Sequence, residues 1–117
     1  MAAPNIVNVS SILGKTAAQI VTNSANTIVT NSVSSNKVLK VNALYVSNID
    51  PSGTFSITLD FFRNSVAYRI TPAITIPIAA TLDIISKPIY LEEGDSLRVT
   101  GSTTAKLEAV CSYEEIT

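Results

Sequence analysis

Few side chains in this sequence of 117 residues could do chemistry, and their spacing limits what that chemistry could be. Glu92, Glu93 and Asp95 surround Gly94, an arrangement that could in principle hold a hard cation such as calcium. The run lacks the Asp-x-Asp-x-Asp-Gly order and the distant glutamate of a calcium loop. A polar acidic turn ahead of a strand at 96–101 is the simpler reading. Glu114 and Glu115 are adjacent, so on a strand they point to opposite faces and cannot flank one glycosidic bond. Gly14-Lys15-Thr16 matches the end of a phosphate-binding loop, but the upstream glycine, the preceding strand and the following helix are missing. Asn8-Val9-Ser10 has the form of a glycosylation sequon, which has meaning only in a secreted chain, and no secretory signal is expected at the amino terminus. Cys111 is the only cysteine and histidine is absent. That excludes disulfide frameworks, Cys/His zinc sites, Ser-His-Asp triads and Cys-His dyads. Cys111 lies between Ala109 and Tyr113 on the apolar side of an alternating segment, the setting of a small buried hydrophobe. The expectation is a protein with no catalytic residue, no metal and no cofactor, and not an enzyme.

Tyr45, Tyr68, Tyr90 and Tyr113 could build a sugar-stacking platform. The alternation places Tyr68 and Tyr113 inward, leaving Tyr90 as the ring expected at the surface. The net charge of −1 argues against sequence-independent nucleic-acid binding. No apolar run is long enough to span a membrane as a helix.

The elements that must position these residues are strands. About a third of the residues are β-branched, and Ser, Thr and Asn make up nearly a third, the composition of an all-β domain. Period-two alternation dominates from residue 37 onward. Phe55, Ile57, Leu59 and Phe61 share one face, and Val66, Tyr68 and Ile70 repeat the pattern. Ile74, Ile76 and Ile78 follow, then Leu82 and Ile84, Ile89 and Leu91, Leu97 and Val99, and last Leu107, Ala109, Cys111 and Tyr113. Turn residues separate the segments at a spacing that suits a two-sheet sandwich. The fold expected is an antiparallel, jelly-roll-like β-sandwich of about eight strands. Its core is expected to hold Leu39, Val41, Phe55, Ile57, Leu59, Phe61, Ile76, Leu82, Leu97, Val99, Leu107, Ala109 and Cys111. The pentapeptide Ile20–Ser24 recurs as Ile28–Ser32, which suggests a hairpin. Residues 1–36 are therefore expected to form an amino-terminal arm or edge hairpin packed on a sandwich of residues 37–117, within a single domain.

The strand from Lys37 to Ile49 is apolar on both faces, with Leu39, Val41, Ala43 and Tyr45 on one and Val38, Leu44 and Val46 on the other. Phe62, Ile85 and Val110 also fall on nominally outward sides, as do Val21 and Val29 if the early hairpin pairs. One small sandwich has one core, so Val38, Leu44, Val46, Phe62, Ile85, Tyr90 and Val110 are the residues expected at an oligomer or partner interface. Each large side chain buried there contributes roughly 1.5–3 kcal/mol. Charge is unevenly spread: residues 1–49 carry a net +3 and residues 90–117 a net −4. This pattern would suit a head-to-tail contact that closes into a ring.

Residues 81–116 resemble small virion proteins of tailed bacteriophages, those of phages infecting marine cyanobacteria most of all. The resemblance lies in Thr81-Leu82-Asp83-Ile84-Ile85, in the run from Pro88 through Glu92-Glu93-Gly94-Asp95 to Thr100, and in Val110–Ile116. The stretch Val41–Asp50 is similar as well. The resemblance implies a virion structural subunit that binds the major capsid protein or neck and tail proteins, and it brings no catalytic residues. Three functions are carried forward: a capsid decoration or cement protein first, a neck or tail accessory subunit second, and a carbohydrate-binding module using Tyr90 third. The expected location is the virion, assembled in the host bacterial cytoplasm, and the expected state is a homo-oligomer, with a trimer leading.

Overall fold

The computed structural model describes residues 9–117, which form nine strands and no helix. In chain order these are β1 (Ile12–Ile20), β2 (Asn26–Thr30), β3 (Val38–Asn48), β4 (Phe55–Arg63), β5 (Val66–Ile76), β6 (Thr81–Asp83), β7 (Ile89–Leu91), β8 (Ser96–Gly101) and β9 (Leu107–Ile116). The first sheet runs β1-β9-β3, with β6 and β7 both paired to the far side of β3. The second runs β2-β8-β4-β5. Every pairing is antiparallel. This order is that of a jelly roll, in which successive strands cross between sheets and only β4 and β5 join as a direct hairpin.

Between β6 and β7 the edge of the first sheet is interrupted, level with a bulge in β3. Its register against β9 slips between Val41 and Ala43, leaving Asn42 as the extra residue of a β-bulge. Before the bulge Leu39 and Val41 face the core; after it Leu44 and Val46 do. One residue has turned the strand over, so its two apolar sets serve one interior in succession. On the other side of β3 the neighbouring strand is interrupted at the same level, between Asp83 and Ile89. There the chain holds on through the Ile84 N–H to the Leu44 carbonyl (2.9 Å) and the Leu44 N–H to Asp83 Oδ1 (3.5 Å).

The core lies between the sheets. Of the residues expected there, Leu39, Val41, Ile57, Leu59, Ile76, Leu97, Val99, Leu107, Ala109 and Cys111 are buried, and Phe55, Phe61 and Leu82 pack partly buried against them. Leu44, Val46 and Ile85, expected at an interface, belong to this core instead. Val21 and Val29 are also buried, because Ile20–Ser24 and Ile28–Ser32 do not pair with each other. β1 is an edge of the first sheet on β9, and β2 an edge of the second on β8. The chain crosses between them over Gly101, whose N–H binds the Thr22 carbonyl at 2.8 Å. In place of an edge hairpin, the early segment supplies one strand to each sheet; residues 1–8 of the expected arm lie outside the described residues.

Candidate functional site

The acidic turn is used up by its own chain. Asp95, almost fully buried, accepts Nε and Nη2 of Arg63 at the end of β4, together with the Glu92 N–H at 2.8 Å. Arg63 also reaches Glu92 at 3.0 Å. The hydrogen bond to Asp95, with its charge, raises the guanidinium pKa further above its ordinary value. Glu93 accepts the Asn36 N–H at 2.6 Å, and the Gly94 N–H binds the Asn31 carbonyl at 2.7 Å. Asn31, buried, sends its amide to the Lys37 and Leu91 carbonyls (2.8 and 2.9 Å). The turn therefore clamps the end of β4 and the 31–37 loop together, and no cluster of metal-ligating side chains is found among the described residues.

Other polar residues are likewise structural. Asp50 accepts the N–H groups of Ser52 and Gly53 and pairs with Lys106 at 3.0 Å. The Ser52 backbone bond and Lys106 lower its pKa to about 2. Glu115 lies between Lys37 (3.2 Å) and Lys15 (3.4 Å). Burial would raise its pKa, but the two ammonium groups outweigh burial and lower it. Two of the three early lysines thus meet a late carboxylate inside one chain, since β1 and β3 flank β9; little of the charge split remains for a head-to-tail contact. Burial pushes the Cys111 thiol up to about 12, so it is inert at neutral pH.

Phe62, expected at an interface, is half-buried on the outer face of the second sheet with the Arg98 guanidinium 4.1 Å above its ring. Beside it the buried Asp60 receives Arg69 from β5 and Arg98 from β8. Val38 is half-buried as well. Only Tyr90 and Val110 of the seven expected contact residues are exposed, both on the outer face of the first sheet. The ladder sets Val110 between Tyr45 and Ala18, giving an apolar row across β3, β9 and β1.

A second apolar surface escaped the sequence reading. Tyr68 pairs with the inward Phe61 yet is 56% exposed, and Val66, Ile70 and Ile74 are exposed too. The alternation gives the face correctly, but the strand opposite is the broken one, so β5 has no full cover. A cleft of about 370 Å³ opens at this place, lined by Ile70, Ile74, Ile84, Ile85 and Ile89 among others. The cleft lies where β5 slips register against β4 and where β6 and β7 are interrupted.

No protein family matches the chain, and no characterised protein matches it in sequence. Among solved structures it is similar to a chain from Bacillus endospore appendages, described as a novel family of disulfide-linked pili. The TM-score is 0.54 over 100% of this chain and 96% of that one, at 12% identity. At that identity the likeness is one of fold.

Proposed function

We propose that the chain is a structural subunit of a bacteriophage virion that binds neighbouring virion subunits, placed on the capsid as a decoration or cement protein. The observation that carries this reading is the apolar surface left outside the core: Tyr45 beside Val110 on one sheet, with Tyr90 exposed separately beside Lys40, and Tyr68, Ile70 and Ile74 above the broken edge. Contiguous exposed apolar groups mark contact with other macromolecules. The groups that could do chemistry are engaged within the chain, with Asp95 on Arg63, Glu115 on two lysines and Asp50 on Lys106. The resemblance of residues 81–116 to small phage virion proteins supplies the setting. The similar appendage chain is also associated with an assembled structure, pili described as disulfide-linked. Here the sole cysteine is buried, so the chain offers no exposed thiol for such a link.

Quantitative mass spectrometry of purified phage particles tests the proposal. Hundreds of copies per particle, bound to the shell, are expected. A single ring's worth of copies would move the protein to the neck or tail. Absence from particles, with binding of Tyr90-dependent glycans on an array, would replace the proposal with host-glycan recognition.

A further inference from the structure

Four positions in the two sheets are lateral edges, and three of them are blunted. β2 is short and slips register between Thr27 and Val29. β5 contains Pro72 and slips twice against β4. β6 and β7 have three residues each. Shortness, bulges and proline are the ordinary means by which sheet edges avoid pairing. β1 has none of them. Its nine residues run in unbroken register along β9, from Ile12 opposite Ile116 to Ile20 opposite Glu108. Its one charge, Lys15, is turned onto Glu115.

The free backbone groups of this edge can be assigned. Ser11 and Thr117 exchange both of their N–H to C=O bonds (3.0 and 2.9 Å), and the Val21 N–H binds the Leu107 carbonyl. Bonded pairs alternate along an antiparallel ladder, so the odd-numbered residues of β1 are turned towards β9. Ile12, Gly14, Thr16, Ala18 and Ile20 then direct their N–H and C=O groups away from the sheet. All five are exposed, and among the described residues no strand pairs with this side of β1. Read from either end, their side chains run large, small, threonine, small, large.

We propose that two copies of this chain pair antiparallel through β1, with the two-fold axis at Thr16, joining their first sheets into one. A contact of this kind requires a surface complementary to itself, and the five residues provide it. Ile12 of one copy meets Ile20 of the other, Gly14 meets Ala18, and Thr16 meets Thr16. All of these are hydrogen-bonded pairs, for about ten bonds between the chains. Ile12 and Ile20 are 59% and 55% exposed in the single chain, and they cover each other at both ends of the seam. The occupant is a second copy because the free edge is matched by its own reverse, whereas the other edges are bulged, short or proline-bearing. The pairing is two-fold, unlike the ring suggested by the charge distribution, and it does not depend on where in a particle the protein sits. In this register each Tyr45–Val110–Ala18 row ends against Gly14 of the other copy.

Sedimentation of the purified 117-residue chain tests the pairing. A species of about twice 12.4 kDa is expected. Thr16→Pro removes one outward N–H and leaves the bonds to β9 intact, so it should fold, as a thermal melt will verify, and associate at least about tenfold more weakly. Register is tested separately by oxidation. Opposed Thr16 residues stand about 5.5 Å apart at Cα, within reach of a disulfide. Thr16→Cys should therefore link two copies covalently, and Gly14→Cys, which faces Ala18, should not. A wild-type chain that stays monomeric at high micromolar concentration would overturn the proposal. So would a dimer that survives Thr16→Pro, equal cross-linking by the two cysteine variants, or association only in the presence of a different virion protein.

Discussion

Asp95 receives Arg63 through both carboxylate oxygens, Nε to Oδ1 at 2.7 Å and Nη2 to Oδ2 at 2.5 Å. This fork ties the end of β4 to the turn that starts β8. The carboxylate is buried and the guanidinium half-exposed, so removing the cation leaves a desolvated charge behind. Arg63→Ala should cost about 1–3 kcal/mol. Glu92, exposed and bound to the same guanidinium, should contribute about 0–1 kcal/mol, as surface pairs do. Urea unfolding of Arg63→Ala and Glu92→Ala makes the comparison; equal losses would mean that the fork is not what holds the turn.

The β4–β5 hairpin turns on Asn64 and Ser65, with φ of 52° and 62°, between the paired Arg63 and Val66. Two central residues with positive φ make a type I′ turn, whose second position favours glycine. Serine there carries a Cβ in the left-handed region. Ser65→Gly is expected to stabilise the protein by about 0.5–1 kcal/mol, read as a raised thermal midpoint. An unchanged or lowered midpoint would show that the turn holds no strain.

Acid should unfold the protein through two carboxylates. Asp50, at about 2 against a usual 3.8, and Glu115, lowered by its two lysines, both bind protons more weakly when folded. Their stabilisation is complete above the unfolded-state pKa and is lost as pH falls through the folded value. Thermal midpoints should therefore fall between about pH 4 and pH 2. Asp50→Asn should flatten part of that slope, and a slope identical to wild type would remove Asp50 as a cause.

The core residues of β4, β8 and β9 are legible because plain alternation holds through β8, in β9 as far as Cys111, and through the middle of β4. β3 was half legible. Its residues are apolar on both faces, but alternation carries no sign of an inserted residue and so places Leu44 and Val46 outside. The interface expectations at Leu44 and Val46 fall with it, and the one at Ile85 falls because Ile85 is buried in the break opposite the bulge. The repeated pentapeptide misled for another reason. Identical local sequence does not reveal which sheet a strand joins, and in a jelly roll β1 and β2 join different ones. The polar clamps at Asn31 and Asp60 are invisible in the sequence, since their partners come from distant strands or from loops whose course alternation does not fix.

The crossing from β1 to β2 requires glycine at position 101. A Cβ there would lie 2.9 Å from the Val21 side chain and 3.0 Å from the Thr103 carbonyl oxygen, and backbone cannot retreat cheaply. Gly101→Ala should destabilise by about 1–3 kcal/mol. Gly14→Ala, with nothing within 4 Å of the added carbon, should be neutral or slightly stabilising in the monomer. Similar losses at both sites would refute the close crossing.

The bulge at Asn42 makes the last prediction, because it reverses which of two adjacent residues supports the fold. Leu44 is fully buried opposite Cys111, and Tyr45 is exposed opposite Val110. Uninterrupted alternation from Leu39 would demand the opposite. Leu44→Ala should cost about 2–5 kcal/mol through lost contacts and a residual cavity, and Tyr45→Ala within about 0.5–1 kcal/mol. Cys111 reports the difference directly, since its buried, high-pKa thiol can be labelled only when the structure opens. At neutral pH, Leu44→Ala should speed maleimide labelling by about thirtyfold or more, which is 2 kcal/mol at 1.4 kcal/mol per tenfold, and Tyr45→Ala by no more than about fivefold. If Tyr45→Ala opens the thiol as readily as Leu44→Ala, β3 runs straight through Asn42, and the single interior shared by its two apolar sets is lost.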